Sequence, residues 1–288
     1  MVAILPALIP ALPHISIPLG LALPGLLFLA LGILDDLKSL QPGPKFCVQV
    51  AAAVVAVLAG NNSVICGIAP VDGILSALWI LTLVNAFNFI DVCDGLLGGL
   101  AVIGLLLIAA LLPAHSLLCM ALAGSCVGFL FLNWPPARIF LGDAGSHLLG
   151  FVVASLLLTL GRERNDLWPW VPQAMLIVGV PLFELVFITV VRIRKGIPWW
   201  RGSPDHFPLR LQQAGLSRLS ADITAWIMAA LLGITALWLG SLPFVLQLLT
   251  LAAVVFAMLL FARLLLKWEV RRAQAPDLSL GSNSPTSQ

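Results

Sequence analysis

Long apolar runs constrain the fold of this chain more than any other feature of its sequence. A membrane-spanning helix needs about 20 predominantly apolar residues, and the runs are rich in Leu, Ala, Val and Ile, without the short alternating segments of outer-membrane strands. With 60% hydrophobic and 10% charged residues, the chain does not have the composition of a soluble globular domain. We therefore predict an all-α polytopic transmembrane helical bundle. About nine spans are expected, at approximately 17–34, 46–60, 71–90, 96–112, 116–132, 147–160, 172–193, 223–240 and 243–266.

The basic residues predict how the spans are oriented. The chain has 15 Lys and Arg residues, and only Arg162 and Arg164 fall in an even-numbered gap between spans, which leaves 13 at or beyond the ends of odd-numbered spans. Because Lys and Arg accumulate in cytoplasmic loops, the odd-numbered gaps should face the cytoplasm. The net charge of +2 is then explained by loop topology, so no nucleic-acid partner is expected.

The composition also divides the chain into three parts. Residues 1–18 form an apolar, Pro-rich N-terminal segment without the basic start of a signal peptide. Residues 19–270 hold the apolar spans and are expected to form one membrane domain. Residues 271–288 are rich in Ser, Pro and Asn, which predicts a disordered cytoplasmic tail.

Clusters of acidic and amide residues interrupt the apolar sequence in the odd-numbered gaps. All such gaps open on one side of a bundle, so these clusters are expected to converge there. Asp35 and Asp36 close the first span, where mutual repulsion favours a metal ion or a basic partner between them. The alternative is a solvated helix end, although acids at a helix C-terminus are unfavourable.

A second cluster lies in the segment NAFNFIDVCDGL, which ends the third span. Asn85, Asn88, Asp91 and Asp94 are spaced by threes, and such a spacing on a helix predicts one polar stripe. Hard oxygen ligands suit a magnesium ion bound together with substrate phosphates. Polar groups in a membrane segment are energetically costly, which favours a functional role.

A third cluster spans Asn133 to Ser146, where two prolines precede the sequence FLGDAGS. A carboxylate with Gly-flanked amides at a helix N-terminus can hold a metal and its phosphate ligand, so Asp143 is a candidate ligand. The alternative is that Asp143 only caps the helix. The histidines His14, His115 and His147 have no partner at ligand spacing and are interpreted as incidental.

The last odd-numbered loop is long and basic, and it contains the pair Asp205 and His206. Its charges favour anion recognition, although a cytoplasmic loop would carry them without any ligand. Glu184, inside the preceding span, needs either an internal partner or a hydrated face.

Taken in order, the four segments resemble the polyprenyl-phosphate N-acetylhexosamine-1-phosphate transferase family over about residues 19–220. The matching motifs are GxxDD (32–36), NAxNxxDxxDGL (85–96), NxPPAxxFxGDxGS (133–146) and PLFE (181–184) before a basic loop. The resemblance implies transfer of an N-acetylhexosamine 1-phosphate, with N-acetylglucosamine preferred, from a UDP-sugar to undecaprenyl phosphate, with release of UMP. It also implies a bacterial cytoplasmic membrane, an active site on the cytoplasmic face and Mg²⁺ as cofactor, with Mn²⁺ as an alternative; a homodimer stays open.

The resemblance also implies roles for individual residues. Asn88 and Asp143 would hold the metal on the UDP diphosphate. Catalytic positions would be Asp35, Asp36, Asp91 and His206, with one of the first two as a base near the lipid phosphate. Substrate-binding positions would be Asn85, Asp94, Asn133, Phe140, Arg192 and Arg210, with Asp94, Asn133 and Phe140 near the uridine and the arginines near the diphosphate.

Two departures from the family pattern keep other functions open. The usual His-x-His-His of the last loop reads His206-Phe207-Pro208-Leu209 here, and the family carries further spans before the Asp-Asp motif, of which residues 1–18 would be a remnant. The alternatives are a non-catalytic relative and an ion-coupled transporter, since transporters also contain intramembrane carboxylates and broken helices.

Overall fold

The computed structural model describes residues 19–164, 168 and 170–274, and this part of the chain contains helices and no strands. Eleven α-helices occur in it. They are α1 (Leu19–Lys38), α2 (Pro42–Leu58), α3 (Ala69–Ile90), α4 (Leu96–Leu111), α5 (Ser116–Asn133), α6 (Gly142–Arg164), α7 (Trp170–Ile177), α8 (Gly179–Arg194), α9 (Phe207–Gln213), α10 (Arg218–Leu239) and α11 (Phe244–Gln274).

The helices confirm an all-α polytopic membrane protein. Each predicted span coincides with a helix, but the seventh is divided into α7 and α8, which are bent by 73°. Within the described residues, six helices are long and apolar enough to cross a membrane, or seven if the bent pair is one span. Helices α2 and α4 have 17 and 16 residues and are shorter, so the count of nine spans stays a prediction.

The predicted domain limits are only partly covered by the structure. Helix α11 continues to Gln274, past the predicted end of the membrane domain at residue 270. The predicted N-terminal segment 1–18 and the tail from 275 to 288 lie outside the described residues.

Helix α6 is the centre of the bundle. It packs between α1 and α3, and 16 of its 23 residues are buried. Phe28 of α1 stacks on Phe151 of α6 with 5.1 Å between ring centroids. At Gly150 the backbones approach so closely that a Cβ would lie 2.8 Å from the Leu83 carbonyl oxygen of α3. Small residues permit such close contacts between membrane helices, and this contact places α6 directly beside the polar end of α3.

The break between α7 and α8 follows from a proline. Pro181 has no N–H to donate to the carbonyl of Ile177, and its ring crowds that carbonyl, so a straight helix is disfavoured here. The bend turns α8 against α3. It thereby brings Glu184 and Arg192 towards the end of the bundle where the odd-numbered gaps open.

Contacts between helix ends show that the first and fifth gaps share one end of the bundle. Asp35, in the first gap, and Asp143, in the fifth, both contact Lys45. At the opposite end, Arg162 of α6 donates to the Gly60 carbonyl in the loop after α2. The acidic clusters therefore lie together, on one side of the predicted membrane.

Candidate active site

Lys45 lies at the centre of the acidic end of the bundle. Its Nζ is 2.5 Å from Asp35 Oδ2 and 2.5 Å from Asp143 Oδ2, so one ammonium group joins α1, α2 and α6. The sequence motifs did not identify Lys45 as a site residue. A signal was present, because a lysine in the first turn of a helix opposes the helix dipole and requires acidic partners.

Asp36 binds the start of α6. One of its carboxylate oxygens accepts from the Asp143 N–H at 2.8 Å and the other from the Ala144 N–H at 3.1 Å. Asp36 is exposed, as expected for a solvated helix end, but its carboxylate also connects α1 to the start of α6. The interpretation of Asp143 as the N-cap is wrong, because Asp36 satisfies the first-turn amides and Asp143 lies inside the helix.

Asn88 connects α3 to the same point. Its Nδ2 donates to Asp143 Oδ1 at 2.8 Å and to Ser146 Oγ at 3.1 Å. The two predicted metal ligands are thus in direct contact, although they are 55 positions apart in the chain. Ser146 belongs to the GDAGS sequence but was not predicted to be a site residue.

The predicted four-residue stripe is helical only in its first half. Helix α3 ends at Ile90, Asp91 is its C-cap residue, and Asp94 lies in the turn that leads to α4. Gly95 has a φ of 80°, which only glycine adopts without strain. The prediction of a continuous helical stripe is wrong because this turn interrupts the helix before its last two members.

Asn133 and Asp94 hold that turn in place. Asn133 Oδ1 accepts from the Gly95 N–H at 2.7 Å, and Asn133 Nδ2 donates to the Ile139 carbonyl at 2.8 Å. Asp94 Oδ2 accepts from the Ala137 N–H at 3.2 Å. Both side chains therefore fasten the loop after α5 to the turn before α4.

Two cavities meet at Asn88, and the smaller has a volume of about 270 Å³. It is lined by four carboxylates, two amides and an exposed aromatic ring, and no Lys, Arg or His contributes to its lining. The polar and aromatic residues in this set are Asp36, Asn88, Asp91, Asp94, Asn133, Phe140 and Asp143. Oxygen donors of this kind, without a basic residue among them, match the ligand preference of a hard cation.

The negative charge of this cavity affects the pKa of Asp91. This residue lies outside the helices that could span the membrane. Burial, followed by the negative charges of Asp143 and Asp36, raises the pKa of Asp91 to about 7. Within the described residues, no three His, Cys, Asp or Glu side chains form a ready-made metal cage. Magnesium fits the donors that are present, because it binds through one or two carboxylates together with water and substrate phosphates.

The larger cavity has a volume of about 680 Å³ and a mixed lining. Asp35, Lys45, Gln49, Asn85 and Asn88 form its polar part. Prolines and aromatic rings form much of the remainder: Pro42, Pro44, Phe46, Phe89, Trp199 and Trp200. An anionic group beside Lys45 and an apolar chain beside the aromatic rings would both find complementary surfaces here.

Glu184 has an internal partner, which settles the question raised by its position in a span. It is fully buried, its Oε1 is 2.5 Å from His206 Nδ1, and its Oε2 accepts from the Phe207 N–H at 3.1 Å. Arg192 is also buried, and its Nη2 lies 3.4 Å from His206 Nε2. These contacts fix the last loop onto α8.

The neighbouring arginine is held in a similar way. Arg210 Nη2 donates to Asp205 Oδ1 at 2.9 Å, and Lys195 Nζ donates to the same oxygen at 2.6 Å. Burial acts to raise the pKa of Asp205, but the hydrogen bond and charge of Lys195 and the charge of Arg210 lower it below its ordinary value. Asp205 therefore stays ionised and anchors both cations.

His206, Arg192 and Arg210 line neither of the two cavities. Their link to the site is indirect, because Arg192 Nη1 donates to the Trp199 carbonyl at 2.9 Å and its guanidinium lies 5.2 Å from the centre of the Phe89 ring. Trp199 and Phe89 both line the larger cavity. A direct role for the three residues at a diphosphate stays a prediction.

The position of the carboxylates bears on the transporter alternative. Asp35 and Asp36 lie in the last turn of α1, and Asp143 lies in the first turn of α6. A transporter places such groups near the middle of the membrane. The observed placement at helix ends is that of a site open to the aqueous side of a bundle.

Comparisons with known proteins identify relatives of this chain. Residues 18–161 match the model of glycosyl transferase family 4. A probable undecaprenyl-phosphate N-acetylglucosaminyl 1-phosphate transferase of Bacillus subtilis is 31% identical over 253 residues, which cover 83% of this chain and 69% of the relative. An undecaprenyl-phosphate alpha-N-acetylglucosaminyl 1-phosphate transferase of Escherichia coli O157:H7 is 28% identical, with coverages of 91% and 76%. A decaprenyl-phosphate N-acetylglucosaminephosphotransferase of Mycobacterium tuberculosis is 30% identical, with coverages of 70% and 59%.

Proposed function

Because this chain belongs to glycosyl transferase family 4, we propose that it transfers N-acetylglucosamine 1-phosphate from UDP-N-acetylglucosamine to undecaprenyl phosphate and releases UMP. The named activities of its relatives support a phospho-sugar transferase with a polyprenyl phosphate acceptor. The observation that carries the proposal is the pair of cavities that meet at Asn88. One of them is acidic and fits a cation with a diphosphate, and the other combines Lys45 with an apolar wall.

In the proposed reaction, an oxygen of the lipid phosphate attacks the β-phosphorus of the UDP-sugar. The bond from that phosphorus to the bridging oxygen breaks, and UMP leaves with the bridging oxygen. A phosphate monoester has a second pKa of about 6, so it is largely a dianion at neutral pH. The attacking oxygen therefore needs positioning and charge compensation more than a general base, which is typical of phosphoryl transfer.

The acceptor is assigned to the larger cavity. The Lys45 ammonium would bind the lipid phosphate, and Phe46, Phe89 and the Trp199–Trp200 pair would contact the first isoprene units. Asp35 accepts from Lys45 and from the Leu40 N–H at 2.6 Å, so it holds the lysine in position. This arrangement gives Asp35 and Asp36 positioning roles, since both oxygens of Asp36 are occupied by backbone amides of α6.

The donor is assigned to the smaller cavity. Asn88 and Asp143 would hold a magnesium ion, with manganese as an alternative, and the ion would neutralise charge between the two anionic substrates. Asp91 adds negative charge to the same wall. Phe140 is 72% exposed at the rim, where its ring can stack on a nucleobase. Asn133 and Asp94 shape this rim by holding the turn before α4.

The basic residues support a location in the bacterial cytoplasmic membrane with the site on the cytoplasmic side. Only Arg162 and Arg164 lie in an even-numbered gap, and both belong to the end of α6 opposite the site. By the positive-inside bias, the acidic end therefore faces the cytoplasm. UDP-sugars are present in that compartment.

The test is UMP release by the purified full chain with Mg²⁺, undecaprenyl phosphate and each of several UDP-N-acetylhexosamines. Release is expected to require the lipid and to be fastest with UDP-N-acetylglucosamine. Asp143→Asn should abolish it, and chelation of the metal should do the same. Glu163→Gln is the matched control, because Glu163 is a carboxylate at the opposite end of α6. A folded protein that releases no UMP with any of these donors would refute the proposal.

A further inference from the structure

A layer of polar side chains lies one helical turn below Lys45, Asn88 and Asp143, and two of its members, Gln49 and Asn85, also line the larger cavity. Asn85 Nδ2 donates to Gln49 Oε1 at 3.1 Å, and Gln49 Nε2 lies 3.2 Å from His147 Nε2. Gln49 and His147 are almost completely buried. We call the three residues the buried triad. His147 was interpreted as incidental from the sequence, and the structure instead gives it a partner from another helix.

Each member of the buried triad is paired with a site residue on its own helix. Gln49 follows Lys45 by four positions on α2, and His147 follows Asp143 by four on α6. Asn85 precedes Asn88 by three on α3. Since an α-helix has 3.6 residues per turn, each pair is stacked on one helix face. The triad therefore joins the same three helices that supply the cation and the carboxylate of the site.

The donors and acceptors of the triad can be assigned from one contact whose direction is known. Asn85 Nδ2 also lies 2.8 Å from the Leu81 carbonyl, which can only accept, so that atom is the amide nitrogen. Gln49 must then accept from Asn85 with its oxygen and present its nitrogen to His147. Because the Gln49 amide donates, His147 Nε2 must accept, and His147 is the neutral tautomer with its proton on Nδ1.

Helix α2 depends on these bonds for its connection to α6. Its main packing partners are α1 and α3, and its buried side chains other than Gln49 are alanines. In the described part of the chain, the side-chain hydrogen bonds from α2 to α6 are Lys45 to Asp143 and Gln49 to His147. The alanines permit close packing but provide no directional contact, whereas a hydrogen bond has a preferred geometry and therefore favours one register.

We propose that the buried triad is a positioning device that fixes the register of α2 against α3 and α6, so that Lys45 stays between Asp35 and Asp143. This inference rests on the proposed transferase function and adds positioning residues to it. The members need not contact the reacting atoms. They act by holding the lysine, and a displacement of about 1 Å at a reacting group can lower a rate by about 100-fold.

The test compares two substitutions of the same residue. His147→Gln keeps an acceptor near the place of Nε2, whereas His147→Leu leaves the Gln49 amide without one. For His147→Leu we expect kcat to fall by about 100-fold with little change in the KM for the UDP-sugar, because the donor cavity is not altered. For His147→Gln we expect most of kcat to remain. Gln49→Leu should also lower kcat, but Gln49 lines the larger cavity, so the decisive comparison is the one at His147.

Hydrogen–deuterium exchange gives a readout that does not require activity. Amides in the first turns of α2 should exchange faster in His147→Leu than in the wild type, and His147→Gln should exchange as the wild type does. This comparison does not depend on UMP release from any UDP-sugar. It therefore distinguishes failure of the positioning proposal from failure of the proposed transferase function.

Two outcomes would overturn the proposal. The first is an equal loss of kcat in His147→Gln and His147→Leu, since the hydrogen bond would then not be the cause. The second is a lower melting temperature of His147→Leu with unchanged kcat per folded molecule and unchanged exchange in α2. That result would make the triad part of general packing.

Discussion

Asp91 should make the stability of the metal-free protein fall as the pH rises. Burial, followed by the charges of Asp143 and Asp36, raises its pKa from 3.8 to about 7. The folded state therefore binds the Asp91 proton more tightly than the unfolded state does. The resulting stabilisation is fully present below about pH 4 and is lost as the pH rises through about 7.

The pKa shift sets the size of the effect. A difference of about three pKa units corresponds to about 4 kcal/mol in the free energy of unfolding. The side chain is partly exposed, so this figure is an upper limit. In a chain of this size, 1 kcal/mol changes the melting temperature by about 2–4 °C. The contribution of Asp91 between pH 4 and pH 8 is then at most about 16 °C.

The variant Asp91→Asn isolates this contribution, because its amide does not ionise. Tryptophan fluorescence can follow thermal unfolding of both proteins in detergent with a chelator, at one-unit steps from pH 4 to pH 8. The melting temperature of the variant relative to the wild type should rise steadily with pH. Asp94→Asn is the control: it removes a carboxylate from the same cavity, but Asp94 is not among the charges that raise the pKa of Asp91. A difference between Asp91→Asn and the wild type that does not change with pH would refute the reasoning.

Three further substitutions test other contacts of the site. Lys45→Met should lower UMP release by at least about 100-fold, and Lys45→Arg should lower it less, because a cation is retained between the two carboxylates; single-turnover rates would measure this. Gly32→Ala should destabilise by about 1–3 kcal/mol and lower activity, since its Cβ would lie 2.3 Å from the Ala144 Cα. Gly124→Ala, with nothing within 4 Å and at a position outside both cavities, is the control in the same thermal and UMP assays. Glu184→Ala should destabilise by about 3–5 kcal/mol and speed trypsin cleavage of the loop before α9, because His206 and the Phe207 N–H lose their partner.

The sequence predicted which residues meet because spans impose a strict rule on loops. Consecutive crossings alternate sides, so Asp35, Asn88 and Asp143 had to share one end of the bundle. Their contacts agree with that rule. The rule cannot give distances within the shared end, because those depend on how the helices rotate and pack. It therefore predicted that Asp35, Asn88 and Asp143 would share one end of the bundle but not that Asp36 would bind the amides of α6.

The sequence was less informative where a turn interrupts the residue spacing of a helix. A spacing of three predicted that Asp91 and Asp94 would continue the helical stripe of α3. The glycine at position 95 instead adopts a positive φ and closes a turn, and Asn133 at the end of α5 accepts a hydrogen bond from the Gly95 N–H. Similarly, no spacing connects Gln49 with His147, which are 98 positions apart and meet only because α6 is central.

The distribution of positive charge explains why the two cavities would need different partners. Lys45 lines the larger cavity, so an anionic headgroup there meets a cation that the chain itself provides. The smaller cavity has four carboxylates and no basic lining residue. A diphosphate would be repelled from it unless a cation arrives first or arrives with the diphosphate. In the proposed reaction the acceptor therefore depends on a residue of the chain, and the donor depends on a metal from solution. Chelation should accordingly weaken binding of a UDP-sugar far more than binding of a polyprenyl phosphate, and equal weakening of both would contradict this assignment.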